Sequence, residues 1–574
     1  MLAVTMANNM LVLLIWMEMS SWMCKFYFNA VPSVLPTLSL MSVARYAQIA
    51  SIPVGYNNPH LTKVAQSPEM ITSLINRPAL GNFPSADWAD ILNTGILKVA
   101  PKGLNQVFTA MAGSDANETA YKAAFMYYRQ LQRGGPEKEF TEEELKTTMT
   151  NQAPGSPQLS IMSFKSGFHG RLFGSLSTTR SKPIHKLDIP AFDWPQAPFP
   201  SLKYPLEEHA QENAQEEQRC LQETERLIKE WHNPVAAVVV EPIQSEGGDN
   251  HASPAFFRGL REITKRNNVL FIVDEVQTGV GATGKFWAHD HWNLETPPDM
   301  VTFSKKAQTA GYYYGNPALR PNKPYRQFNT WMGDPARALI FRGIIEEIER
   351  LNLVEHTAQT GHYLYSGLQR LAEKYPEHLQ NLRGKGQGTF IAWDTPKRDE
   401  FLGKAKGVGV NIGGSGVNAV RLRPMLIFQQ HHGKPNFYPN FTFVESMLTC
   451  LQLISSWRAL RRSSSSCKEL VVCKIIVFHQ NCISFCFPEL AESGVHCWVG
   501  WVSPCLIGTL STSYVFVLKL LAHYKYSKRQ SDAVPRCIDF ACWVSNKIQL
   551  FIFKKEKGVL KVVMSHKNKG TTPA

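Results

Sequence analysis

Three short stretches of this chain are nearly continuous apolar runs: 235–240 (VAAVVV), 269–273 (VLFIV) and 300–304 (MVTFS). A strand with one face in water alternates polar and apolar residues. A near-continuous run belongs instead to a sheet covered on both faces. That cover is supplied by helices, and residues 118–130, shortly after the strand-like run 106–111 (QVFTAM), read as one. The same rhythm of strand-like and helical stretches extends over residues 44–433. It predicts an α/β fold with a mostly parallel central sheet flanked by helices. The apolar runs end on Glu241, Asp274 and the pair Lys305-Lys306, while QVFTAM leads into Gly113-Ser114. Open parallel sheets bind ligands beyond the carboxyl ends of their strands, so these residues mark one candidate edge.

Composition limits what such an edge can serve. The chain has 574 residues, 44% hydrophobic and 19% charged, enough for more than one domain around a large core. Its formal charge of +14 would suit a nucleic-acid or membrane partner if it were spread evenly. It is not: after position 433 there are 18 Lys and Arg against 7 Asp and Glu, and before it 43 against 40. The body is close to neutral, and neither nucleic acid nor membrane is expected as a partner. Nine of the 11 cysteines also lie after position 433, without paired CxxC spacing. The body therefore carries no disulfide framework, suits a reducing compartment, and offers no zinc site. Residues 10–17 (MLVLLIWM) are apolar, but no basic residue precedes them and they are too short to cross a bilayer. Texture divides the chain into an atypical segment 1–43, a body 44–433 and a basic, Cys-rich tail 434–574.

Each residue at the candidate edge has a bland reading and a chemical one. A glycine-serine turn is most often only a turn, yet at a helix N-terminus it presents N–H groups and a dipole to a phosphate. Asp274 can cap a helix, or it can pair with a protonated ring nitrogen and keep that ring an electron sink. A lysine is ordinarily a solvated surface group. Lys306 ends an apolar run instead, and its amine can form a Schiff base with an aldehyde cofactor and then shuttle a proton.

Longer strings narrow the choice: ARYAQIASIPVGYNNPHL, NRPALG, FHGRLFGSLSTT, PIHKLDIPAFDWPQAPFPSLKYPLEE, VVVEPIQSEGGDNHAS, VDEVQTGVGATGKFWAHDHW, FNTWMGDP and VRLRPMLIF, spread over residues 44–432. On these strings the chain resembles the class III aminotransferases of the fold-type I pyridoxal 5'-phosphate enzymes, in particular those acting on 4-aminobutyrate. The resemblance adds a smaller α+β domain to the fold and splits the body into a large domain 44–330, with part of the small domain at its start, and a small domain 331–433. It implies transfer of the amino group of 4-aminobutyrate to 2-oxoglutarate, with succinate semialdehyde and glutamate as products. It makes Lys306 the cofactor lysine, since the register counted back from Thr309-Ala310-Gly311 selects the second of the two lysines; Ala310 stands where relatives commonly have glycine. It places Asp274 on the pyridine nitrogen, Gln277 near the phenolic oxygen and Phe168 over the ring. Gly113 and Ser114 bind phosphate, helped by Thr330 from the other subunit of a homodimer. Arg171 receives the carboxylate of 4-aminobutyrate and Arg421 the second carboxylate of 2-oxoglutarate. Glu246 neutralises Arg421 when the substrate has only one carboxylate, and Tyr46 and Ile49 line the pocket.

Some features depart from that pattern. Where certain relatives carry CGSC and an iron–sulfur cluster, this chain has Ala112-Gly113-Ser114-Asp115, so no cluster and no metal is expected. Upstream of Val43 and beyond His431-His432 the resemblance stops. We expect both flanks to arise from gene-model or splicing error, an idea that abundant natural peptides spanning 429–437 would overturn. The competing functions are another class III ω-aminotransferase, of ornithine or β-alanine type, and a catalytically impaired protein. With no Arg-rich transit segment visible, the expected compartment is the cytoplasm, the alternative being the mitochondrial matrix.

Overall fold

A computed structural model describes residues 49–407 and 410–429, together with the strands Ile476–His479, Cys482–Phe485, Cys537–Val544, Lys547–Glu556 and Val559–Ser565. The chain divides into two units, 1–455 and 456–574. In the second unit the described strands form an antiparallel pair and an antiparallel three-stranded sheet. The first unit contains the candidate edge. Among the described residues no helix is long and apolar enough to cross a membrane.

Seven strands make the central sheet: β1 (Gln106–Ala110), β2 (Ser160–Phe164), β3 (Gln196–Ala197), β4 (Val235–Val240), β5 (Leu270–Asp274), β6 (Met300–Phe303) and β7 (Ala310–Tyr314). Their spatial order is β1-β7-β6-β5-β4-β2-β3. Only β7 runs against the rest, pairing antiparallel with β1 on one side and β6 on the other. All residues of β4, β5 and β6 are buried, as near-continuous apolar runs require.

The two sheet faces feed separate cores. Val238, Val240, Phe271, Val273, Val301 and Phe303 point to one face, where they meet the helices α3 and α4 described below. The residues in alternate register, Ala237, Val239, Ile272 and Met300, point to the other face. There they meet Ala120, Tyr121, Ala123 and Ala124 of α1 (Gly113–Gln132). Alanines on this face let the helix sit close to the strands. Further on are α2 (Ala210–Glu230) and α3 (Pro254–Arg266). α3 starts on Ser253, whose Oγ accepts from Phe256 N at 3.2 Å, with proline in its first turn. It buries Phe256 and Phe257 at 1% exposure each, about 1.5–3 kcal/mol apiece relative to water. The ring of Phe257 stacks on Trp292 with centroids 3.9 Å apart.

The helix α4 (Pro335–Arg350) adds Leu339, Phe341, Ile344 and Ile345 to the large core. A second core gathers Leu364, Leu368 and Leu371 of α5 (Leu353–Lys374) with Trp393, Phe401 and Val420. It backs a four-stranded antiparallel sheet built from β8 (Gln380–Arg383), β9 (Ala392–Asp394), β10 (Gly413–Ser415) and β11 (Ala419–Arg421), in the order β10-β11-β9-β8. This is the smaller α+β domain expected from the sequence.

Candidate active site

Parallel strands deliver their carboxyl ends to one side of the sheet, and there the described residues form a cleft of about 210 Å³. Its walls come from the start of α1 (Gly113, Ser114, Asn117), from the loop after β2 (Phe168 to Arg171), from Glu241 after β4, from Asp274 to Gln277 after β5, and from Ser304 and Lys305 after β6.

Asp274 is the last residue of β5 and is 3% exposed. Its Oδ2 accepts from His169 Nδ1 at 2.8 Å and Asn117 Nδ2 at 2.9 Å, and its Oδ1 from Val276 N at 3.0 Å. Three donors fix the carboxylate in direction. Glu241 is buried nearby and accepts from Phe168 N at 2.8 Å and Ser245 N at 3.1 Å. Burial, and then the charge of Asp274, push its carboxyl well above the usual range.

Two glycines shape the space at the start of α1. Gly113 opens α1, and a Cβ there would lie 2.7 Å from Val276 Cγ1. Gly170 has φ +127°, and a Cβ on it would fall 1.9 Å from Ser114 Oγ. That hydroxyl accepts from Arg171 N at 2.6 Å and lies 3.0 Å from Ser175 Oγ. Space, helix N–H groups and a hydroxyl coincide here, as an oxyanion requires.

The two lysines diverge. They occupy a 3-10 turn, Lys305–Ala307, with Lys305 at φ +47°. Lys305 lines the cleft; Lys306, 3% exposed, lies behind it with Nζ donating to Gln277 O and 5.8 Å from the Phe390 ring centre. The structure thus brings Lys305, rather than Lys306, onto the cleft wall. Burial lowers the Lys305 amine to about 8, against the pull of Glu246 and Asp274. Burial first, and the neighbouring Lys305 next, carry Lys306 well below the ordinary lysine value.

Arg421 is 2% exposed at the end of β11. Its Nη2 donates to Glu246 Oε1 at 2.8 Å and its Nη1 to Ser245 O at 2.6 Å. Burial raises the Glu246 carboxyl, but the charge and hydrogen bond of Arg421, with the charges of Lys305 and Arg423, together outweigh it and leave a value of about 2. Arg171 is exposed at the mouth, its guanidinium 5.1 Å from the Phe168 ring centre and 3.5 Å from His185 Nε2. Of the remaining expected residues, Gln277 lies in the cleft wall, Ile49 is 54% exposed, and Thr330 is exposed and outside the cleft lining. Tyr46 lies outside the described residues.

Several contributors had no assigned role in the sequence reading: Asn117, His169, Glu241, Asp249, Arg383 and Arg423. Arg423 donates twice to Asp249, at 2.7 and 2.8 Å, donates from Nε to Gln277 Oε1 at 3.1 Å, and lies 3.6 Å over Phe390. Arg383 donates to Gly248 O at 2.6 Å and Asp249 O at 3.0 Å. The loop from Ser245 to Asp249 is thereby stitched to the small sheet by three arginines. The spacing of VRLRP carried a signal for Arg423, since residues two apart on an extended segment share a face. For Asn117 and His169 no local motif exists, because their common partner is more than 100 residues away from each.

Comparison with known proteins agrees with this geometry. Residues 42–437 match the family Aminotransferase class-III. Over 387 residues the chain is 92% identical to the 4-aminobutyrate aminotransferase of Emericella nidulans, covering 67% of this chain and 78% of that protein. It is 51% identical over 393 residues to the mitochondrial 4-aminobutyrate aminotransferase of Sus scrofa, with the same coverage of 67% and 78%. Among solved structures, a lysine aminotransferase from M. tuberculosis in its internal aldimine form superposes with a TM-score of 0.59 at 28% identity, covering 71% of this chain and 88% of that one.

Proposed function

The chain belongs to the class III aminotransferases, and from that premise we propose that its cleft moves the amino group of 4-aminobutyrate to 2-oxoglutarate, giving succinate semialdehyde and glutamate. The observation that carries the substrate assignment is the buried Arg421–Glu246 pair, with Arg171 at the cleft mouth. A monocarboxylate needs one cation at the distance of its carboxylate, so Glu246 stays on Arg421. A dicarboxylate needs both cations, and Arg421 changes partner. The relatives named for 4-aminobutyrate support this reading over an ornithine or β-alanine enzyme.

The residues fit pyridoxal 5'-phosphate: a glycine cradle at a helix N-terminus, a fixed carboxylate at the cleft floor and amines of lowered basicity. When bound, this group supplies an aldehyde and an electron-withdrawing ring. Gly113 and Ser114 would hold its phosphate, Asp274 its ring nitrogen, Gln277 its phenolic oxygen and Phe168 its ring face. Asp274, its carboxylate fixed by His169, Asn117 and Val276 N, would keep a bound ring nitrogen protonated and so keep the ring electron-withdrawing. Lys306, its amine held well below the ordinary lysine value by burial, would take up and return a proton at the substrate carbon, while Lys305 lines the cleft wall. Thr330, exposed beside the exposed Trp331, supports assembly as a homodimer in which each copy completes the other's phosphate site. The name of the pig relative supports a mitochondrial compartment over the cytoplasm.

The test is the visible absorbance of cofactor-loaded protein, which 4-aminobutyrate should bleach and 2-oxoglutarate restore. Lys306→Ala should slow bleaching by at least about 10³-fold, the upper range for a lost proton-transfer group or more, while Lys305→Ala retains it. Borohydride trapping followed by peptide mapping then identifies the modified lysine. A label on Lys305 would reverse the assignment.

A further inference from the structure

We infer that the protein has a second anion site, remote from the cleft, formed between the C-terminal turns of α1 and the helix Glu142–Thr148, and that it takes a small organic carboxylate. A cavity of about 270 Å³ lies there. Arg129 in the last turn of α1 and Arg133 at its C-cap line it together with Arg326 from the connection after β7. Glu144 is the one acidic side chain in the lining. It is already engaged: Oε1 accepts from Arg129 Nη2 at 2.9 Å and from Arg133 Nη1 at 3.3 Å, while Oε2 accepts from Thr141 N at 3.0 Å in a helix cap. One carboxylate therefore faces three guanidinium groups.

Two further observations show that the imbalance is local. Arg133 and Arg326 both lie over the Phe140 ring, at 4.6 and 5.1 Å, and burial together with the Arg133 charge pulls Arg326 below its ordinary value. Arg133 Nη2 is buried with no hydrogen-bond partner among the described residues. A buried donor on a charged group costs free energy until an acceptor arrives, and the cavity supplies the space for one. Apart from Thr148 and Gly155, the other walls, Phe125, Met126, Leu145 and Pro157, are apolar. Inorganic phosphate has no hydrocarbon to bury against them and would leave oxygens facing carbon. A carboxylate on a short alkyl or aryl body satisfies both ends. Since α1 starts in the cleft at Gly113, Arg129 lies about 24 Å further along the helix axis, at roughly 1.5 Å per residue. The pocket thus lies outside the cleft machinery.

The experiment soaks crystals of the cofactor-loaded full chain in 4-bromobenzoate and locates bromine by anomalous scattering. In solution, benzoate affinity is measured calorimetrically for the unaltered protein, Arg133→Gln and Arg326→Gln, with competition against 4-aminobutyrate reporting any binding in the cleft. We expect bromine beside Phe140, with the carboxylate on Arg133. We also expect at least about tenfold weaker benzoate binding in each variant that folds, the scale of one lost charge-assisted hydrogen bond, and unchanged turnover of 4-aminobutyrate. Bromine only between Arg171 and Arg421, no bromine at all, or unchanged benzoate affinity in both variants would overturn the site. Displacement of benzoate by an equal concentration of inorganic phosphate would overturn the carboxylate assignment.

Discussion

At the scale of single residues, charge pairing decides the behaviour of the cleft. Glu246 has a folded-state value of about 2, below that of a free glutamate, so its pairing with Arg421 stabilises the fold fully above the unfolded value near 4.3 and is lost as pH falls toward 2. The contribution is on the order of 3 kcal/mol. Glu246→Gln should therefore flatten the acid limb of a stability-versus-pH curve in chemical denaturation between pH 5 and 3 (a range set by roughly those two values). For a substrate with one carboxylate, the same substitution removes the nearer of the two carboxylates facing Arg421, leaving Asp249 at 3.7 Å. KM for 4-aminobutyrate should rise by about tenfold while the 2-oxoglutarate half-reaction changes little, a split that half-reaction kinetics resolves. The sequence made this pair legible only through resemblance, because the partners are 175 residues apart. Lys305 and Lys306 show a different limit. Adjacent side chains in a 3-10 turn point about 120° apart, so which of them faces a cavity depends on the φ of the first, and composition carries no trace of that.

Among elements, the buried strands were the most legible part of the chain. Those expected at 235–240, 269–273 and 300–304 occur at Val235–Val240, Leu270–Asp274 and Met300–Phe303. β2 and β7 were not placed beforehand: SIMSF mixes serine with apolar residues, and AGYYY hides its strand in tyrosines whose hydroxyls find distant partners, as Tyr313 does on Ile96 O at 2.8 Å. Antiparallel β7 is set by a short reversal after the lysine turn, where no helix crosses over. The start of α1 was read five residues late, since its first turn, GSDAN, lacks apolar period and is held by the site. That turn gives a further prediction. Gly113→Ala places a methyl 2.7 Å from Val276, an overpacking that should cost about 1–3 kcal/mol and weaken cofactor binding at least about tenfold, as seen in thermal melts and cofactor titration.

For the whole molecule, exposed side chains around the proposed phosphate-sharing region indicate what assembly must cover. Phe83 is 77% exposed and Trp331 48%, the latter under the Arg77 guanidinium at 3.7 Å. Trp331→Glu should shift the protein toward monomer in sedimentation velocity and lower turnover together with cofactor affinity, because Thr330 would no longer reach a second copy. Retention of full activity by a monomer would end the shared-site proposal. The three arginines that stitch the loop from Ser245 to Asp249 onto the small sheet carry a mechanical consequence. In the proposed reaction, the strip that would answer to the number of substrate carboxylates is also bonded to β11 and Gln277, so a swing of Glu246 would load both together. Loosening the seam at Arg383 or Arg423 should then blur the distinction between the two substrates before it slows chemistry on either.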